Sequence, residues 1–116
     1  MIKFLDLYNQ DKNLHKSIIN SIRKLFKKTD FILGSEVYEF EKNFAKFCGS
    51  KFAISCGNGT DALTIALKSL NLPKQSEVLL PAMTYCSTAF AVMNANLKPV
   101  LVDVSYLSST INLNDL

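Results

Sequence analysis

The turn Ser55-Cys56-Gly57-Asn58-Gly59-Thr60-Asp61-Ala62 gathers residue types able to hold an anion. It lies between a short apolar run and a stretch of helical period. Two glycines let a ligand approach the backbone closely. A helix starting here presents free N–H groups and the positive end of its dipole, and Thr60 adds a hydroxyl. The turn lacks the Gly-Lys-Ser/Thr ending of a P-loop and the glycine spacing of a dinucleotide fingerprint. It therefore reads either as a phosphate cradle or as a tight turn closed by an Asn or Gly cap. In the first case the Asp61 carboxylate has to point away from the anion.

A second group follows the next apolar run, in Pro81-Ala82-Met83-Thr84-Tyr85-Cys86-Ser87-Thr88. The C-terminal ends of strands are where α/β folds bind ligands. Tyr85 there can stack on a flat ring or simply pack. Ser87 and Thr88 offer hydroxyls for a site or a helix cap, and Asp103 ends a third run, where it either orients a site or closes a turn. Cys56 and Cys86 have no evident base beside them and read as small buried residues. His15 keeps basic company on a helix and reads as structural. With three cysteines, one histidine and no Cys-x-x-Cys, neither a disulfide framework nor a metal site is expected.

The elements that must position these groups follow from periodicity. Ile2 to Tyr8 alternate loosely, as an extended arm. Leu14, Ile18, Ile22, Leu25 and Phe26 recur at helical spacing and predict a helix over 12–28. A second helix runs from Ser35, with Val37, Phe40, Phe44 and Phe47 as its stripe, and Gly49 stops it. Then come a strand at Phe52–Cys56, a helix carrying Leu63, Ala66, Leu67 and Leu70, a strand at Glu77–Leu80, a helix over Thr84–Asn94 and a strand at Val100–Val104. The tail from Ser105 is polar and loop-like. Short apolar strands alternating with helices predict an α/β architecture with a mostly parallel sheet and flanking helices. Three such strands make a small sheet with exposed edges, so the chain reads as a piece of something larger.

Composition narrows the function. The 116 residues are 48% hydrophobic and 20% charged, as in ordinary globular proteins. No apolar run approaches the length of a membrane span, and the N-terminus lacks the pattern of a secretory signal, so a reducing cytoplasm is expected. Residues 1–52 hold ten Lys/Arg against six Asp/Glu, and residues 53–116 three against four. The basic cluster Arg23, Lys24, Lys27 and Lys28 alternates with Ile22, Leu25 and Phe26. This is the wet face of an amphipathic helix, not a nucleic-acid patch interleaved with aromatics.

Taken in order, several segments resemble one family. Phe31-Ile32-Leu33-Gly34-x-x-Val37-x-x-Phe40-Glu41 is similar to the opening of the DegT/DnrJ/StrS sugar aminotransferases, and Phe44-Ala45-x-Phe47-Cys48-Gly49 continues it. Asn58-Gly59-Thr60-Asp61-Ala62-Leu63 matches the family's Asn-Gly-Thr-x-Ala-Leu turn. Glu77-Val78-Leu79-Leu80-Pro81-Ala82-x-Thr84-Tyr85 and Lys98-Pro99-Val100-x-Val102-Asp103-Val104 complete the resemblance, with Ile2–Leu7 similar to the family's N-terminal arm.

The resemblance implies the large domain of the aspartate-aminotransferase fold and pyridoxal 5'-phosphate (PLP) as cofactor. Residues 1–11 would be the arm and 12–116 the incomplete PLP-binding domain. It further implies ping-pong transfer of an amino group, from glutamate, to a nucleotide-linked keto-sugar, in cell-surface polysaccharide or related sugar synthesis, by a homodimer. Carried over by position, Gly59, Thr60 and Asp61 would hold the cofactor phosphate, Tyr85 would stack on the pyridine ring, and Thr84 and Thr88 would sit close by. Ser87 stands where alanine is expected. The family's Schiff-base lysine lies downstream: Lys51, Lys68, Lys74 and Lys98 do not match its motif, so no catalytic residue is assigned and the chain alone is expected to be an inactive N-terminal portion. Two alternatives stay open. One is a sugar dehydratase of the same family, with histidine in place of that lysine. The other is a non-catalytic fragment acting only as an interaction or phosphate-binding module.

Overall fold

A computed structural model of the chain describes residues 3–116. They form two compact units that meet between Ser55 and Cys56. Ile2, the first residue of the expected arm, lies outside the described residues.

The first unit is helical. The expected extended arm gives way to a single helical turn, α1 (Leu7–Gln10). Asp6 causes it: its carboxylate accepts the Asn9 backbone N–H at 3.2 Å and the Asn9 side-chain amide at 2.8 Å, satisfying a donor that a helix start leaves free. Lys3 pairs with the same carboxylate at 3.1 Å, and these contacts hold the Asp6 carboxyl below the ordinary aspartate value. The helix expected over 12–28 is α2 (Lys12–Lys28). His15 is half-buried on it, its ring 4.7 Å from that of Tyr8.

The second expected helix is α3 (Ser35–Cys48). Its start is capped by Asp30, whose carboxylate accepts the Ser35 N–H at 3.0 Å. That carboxylate lies where a side chain at Gly34 would go, 2.5 Å from the site of a Cβ. Lys28 and Glu36 pair across the turn at 3.0 Å. At the other end Gly49, at φ 66°, adopts the left-handed conformation. Ser50 N–H then reaches the Ala45 carbonyl and Gly49 N–H that of Lys46, which is the Schellman closure.

Residues 52–56, expected as the first strand, are not a strand in the structure. A strand exists only against a partner, and no described segment forms a ladder with this one. It is held instead by side chains: Ser50 Oγ donates to the Phe52 carbonyl at 2.9 Å, and the Ser55 N–H donates to Glu41 Oε1 at 2.7 Å.

The second unit is a helix followed by a β-α-β crossover: α4 (Gly59–Ser69), β1 (Glu77–Pro81), α5 (Ser87–Asn94) and β2 (Lys98–Val102). The strands are parallel, with Glu77 opposite Lys98 and Pro81 opposite Val102. Glu77 and Lys98 also form an ion pair at 2.7 Å. Parallel strands need a crossover, and α5 supplies it. Leu80, Val92 and Leu97 form the buried cluster, with Leu67, Val78, Ala89 and Ala95 packed against it. The architecture is the α/β class expected, with a small parallel sheet.

Three boundaries differ from the periodic pattern. The helix expected from Thr84 begins at Ser87, because Ala82–Thr84 form a bend and the chain turns again at Cys86, where the Tyr85 carbonyl takes the Thr88 N–H at 3.0 Å. The strand expected at 100–104 starts at Lys98, where the Lys98 N–H bonds to the Ser76 carbonyl. The tail is not a plain loop: Val104 bridges Ile111 antiparallel, and a 3-10 turn, Leu113–Asp115, follows. Asp103 serves that turn, its carboxylate accepting the Val104 N–H at 2.8 Å while its own N–H donates to Asp115 Oδ2 at 2.7 Å. Cys56 and Cys86, expected to be buried, are exposed, as is Cys48. The first two sit in the turns entering α4 and α5, where no described layer covers them.

Candidate functional site

The N-terminus of α4 is built by a reciprocal cap. Asn58, in extended backbone, accepts the Asp61 N–H on Oδ1 at 2.9 Å and donates from Nδ2 to Asp61 Oδ2 at 2.9 Å. The same carboxylate oxygen lies 2.8 Å from where a Cβ at Gly57 would stand. Gly57 is thus small because Asp61 folds back over it. An Asn at the cap with a carboxylate three residues on is the arrangement a helix start favours. It turns the negative charge of Asp61 toward the cap.

The cap leaves the beginning of α4 free. Among the described residues the backbone N–H groups of Gly59 and Thr60 make no hydrogen bond, and neither does the Thr60 hydroxyl. Beyond its chain neighbours and its own helix backbone, no atom of the described residues lies within 4 Å of where a Cβ at Gly59 would project.

These groups border a concavity of about 530 Å³ lined by Gly59, Thr60, Leu63, Tyr85, Ser87 and Thr88. That volume is within the range of small-molecule sites. Residues 25 positions apart in sequence meet here because α5 packs against α4, and the bend after Pro81 presents Tyr85. Tyr85 is 76% exposed, which leaves its ring accessible for stacking. Thr88 lines the cavity, and its hydroxyl is bonded to that of Thr84 at 3.1 Å. Thr84 itself is not a lining residue; it holds Thr88. Asp61 does not line the cavity either.

Sequence reasoning missed Leu63, which lines the cavity one turn beyond Gly59 and Thr60. Its signal was the helical spacing that places it on their face. Among the described residues no Lys, Arg or His side chain lines the hollow, so an anion there would rest on backbone N–H groups, hydroxyls and the helix dipole. A phosphate fits these donors and the space left by the missing Cβ of Gly59. A flat heteroaromatic ring fits the exposed face of Tyr85.

Comparison with known proteins identifies the family. The DegT/DnrJ/EryC1/StrS aminotransferase family matches residues 12–116. The UDP-2-acetamido-2-deoxy-3-oxo-D-glucuronate aminotransferase of Pseudomonas aeruginosa is 42% identical over 104 residues, 90% of this chain and 29% of that enzyme. The crystal structure of a DegT DnrJ EryC1 StrS aminotransferase from Brucella abortus superposes with a TM-score of 0.90 at 33% identity, covering 98% of this chain and 31% of that one. A GDP-4-keto-6-deoxymannose-3-dehydratase, solved with a trapped PLP-glutamate geminal diamine, superposes with a TM-score of 0.69 at 26% identity over 75% of this chain and 24% of that one. The chain spans under a third of the length of these relatives. With its family match running from the first long helix to the last residue, the chain belongs to the DegT/DnrJ/EryC1/StrS aminotransferase family.

Proposed function

We propose that this chain provides the phosphate cradle and ring-stacking face of the PLP site in a nucleotide-sugar aminotransferase. The enzyme would move an amino group from glutamate to a nucleotide-linked keto-sugar. Residues 12–116 would be the start of its PLP-binding large domain and residues 1–11 an arm reaching from it. The observation that carries this reading is the meeting, in one cavity, of the unbonded N–H groups of Gly59 and Thr60 with the Tyr85 ring.

In this reading Gly59 and Thr60 bind the phosphate through their N–H groups, and Thr60 adds its hydroxyl. Asp61 contributes through the cap, keeping its carboxylate on Asn58 and the helix start in place. Tyr85 covers one face of the ring and keeps water from it. Thr84 fixes the rotamer of Thr88 at the cavity wall. The bound cofactor supplies an electrophilic carbonyl and an electron-withdrawing ring, which none of these side chains provides. The relatives' names point to sugar nucleotides as substrates. A cytoplasmic homodimer serving polysaccharide or related sugar synthesis is the setting we infer. No described helix is long and apolar enough to cross a membrane. A dehydratase of the same family is the second reading, favoured by the 26%-identical dehydratase above.

The test is Thr60→Val in the intact protein. The substitution removes a hydrogen bond to a charged group, worth roughly 1.5–3 kcal/mol, or about ten- to a hundredfold in PLP affinity. Unchanged affinity in a titration followed by PLP absorbance would leave Thr60 as a helix residue only.

A further inference from the structure

The proposed cradle has one more unused donor. Ser87 lines the same cavity as Gly59 and Thr60. It is the first residue of α5 and is half-buried. Its neighbours are already committed: the Thr84 and Thr88 hydroxyls bond each other at 3.1 Å, and the Thr88 N–H goes to the Tyr85 carbonyl at 3.0 Å. Ser87 differs from both. Neither its hydroxyl nor its backbone N–H makes a hydrogen bond among the described residues. Ser87 stands one residue inside the cap position, which Cys86 holds, so its oxygen is not engaged in capping the helix. The cavity wall therefore carries two unpartnered hydroxyls, on Thr60 and Ser87, each beside a free N–H at the start of a helix. An anion between them would meet donors from α4 and α5 together.

We propose that Ser87 is a further binding residue for the cofactor phosphate, donating its hydroxyl from the α5 side while Thr60 donates from the α4 side. This rests on the PLP reading of the site. Alanine at this position would leave α5 only its backbone N–H to offer the phosphate, so the Ser87 hydroxyl raises cofactor retention in this protein without touching the reacting atoms.

The test titrates the intact protein and two variants with PLP and with pyridoxal, which has no phosphate. Circular dichroism checks that each variant is folded. Ser87→Ala should bind PLP about tenfold more weakly and pyridoxal as the parent does. Ser87→Thr keeps a hydroxyl and should recover most of the lost PLP affinity, which a packing role for Ser87 would not predict. A Ser87→Ala protein that binds PLP as tightly as the parent would overturn the proposal while leaving the PLP site intact. An equal loss for PLP and pyridoxal would also overturn it, since the residue would then act on the ring. A parent protein that fails to bind PLP would instead sink the reading of the site itself.

Discussion

The helical unit before Cys56 and the β-α-β unit after it are held by different means. In the first, Gly34 and Ala45 are the buried residues among those described, and the apolar stripes of α2 and α3 stay in contact with solvent: Ile22 and Phe44 are each 47% exposed and Phe47 86%. Order there comes from local devices, namely the Asp6 and Asp30 caps, the Gly49 closure and the stacked pair Phe40–Phe44 at 5.5 Å. In the second, Leu80, Ala91, Val92, Leu97 and Val102 are all buried, Val92 at 1% exposure. A helix satisfies its backbone within itself, so it can be well formed with little burial. A parallel strand pair cannot. It needs a crossover, and the crossover helix closes a core. The candidate site belongs to the second unit, where tertiary packing holds the two helix starts beside one cavity.

Truncation should separate the two regimes most strongly. Leu80→Ala empties part of the closed cluster and should cost about 2–5 kcal/mol. Phe44→Ala removes a half-exposed ring and one stacking contact, worth roughly 1 kcal/mol. Amide hydrogen exchange on the 116-residue chain reads both, with Leu80→Ala stripping protection from β1, β2 and α5. Equal losses from the two substitutions would erase the distinction.

A pair of glycine substitutions sharpens the contrast between structural and ligand roles. At Gly34 a methyl group would collide with the Asp30 carboxylate and displace the α3 cap. Gly34→Ala should therefore cost about 1 kcal/mol, the usual worth of such a cap, seen in thermal melts. At Gly59 the same methyl meets no protein atom, so Gly59→Ala should leave the melting temperature unlowered. Projecting into the space reserved for a ligand, it should weaken PLP binding in the intact protein by about tenfold. A Gly59→Ala protein that binds PLP normally would place the phosphate elsewhere.

The smallest effect is confined to α1. Asp6 titrates below the ordinary aspartate value because Lys3, then Asn9, stabilise its charged form. A depressed folded-state pKa makes the contribution complete above the unfolded value and lost as pH falls through the folded one. The turn at Leu7–Gln10 should thus fray only in acid below the usual carboxylate range. An NMR titration of the Asp6 carboxyl should show the low midpoint, and Lys3→Ala should move it upward.

Features carried by local periodicity and capping were legible in the residues. The spacing of Leu14 to Phe26 predicts α2 at its observed ends, and Gly49 marks the end of α3 through a backbone conformation that glycine reaches without a Cβ penalty. The turn at Gly57–Asp61 was readable as a cap or as a cradle, and the structure shows the cap: Asn58 and Asp61 satisfy each other, which leaves Gly59 and Thr60 free. Features that depend on a partner were not legible. Phe52–Cys56 has the composition of a strand, but a ladder needs a second segment, and among the described residues none bonds to it. The same holds for β2, whose start at Lys98 is set by the Ser76 carbonyl, and for the bend at Ala82–Thr84. By itself the sequence determined α2, α3 and α4, the Gly49 closure and the chemical character of Thr60, Tyr85 and Ser87, because those follow from side-chain type and spacing along one segment. Only the tertiary structure decided that these three share a cavity. That outcome rests on the strand pairing and on the packing of Leu80, Val92 and Leu97, contacts between residues distant in the chain that no local pattern encodes.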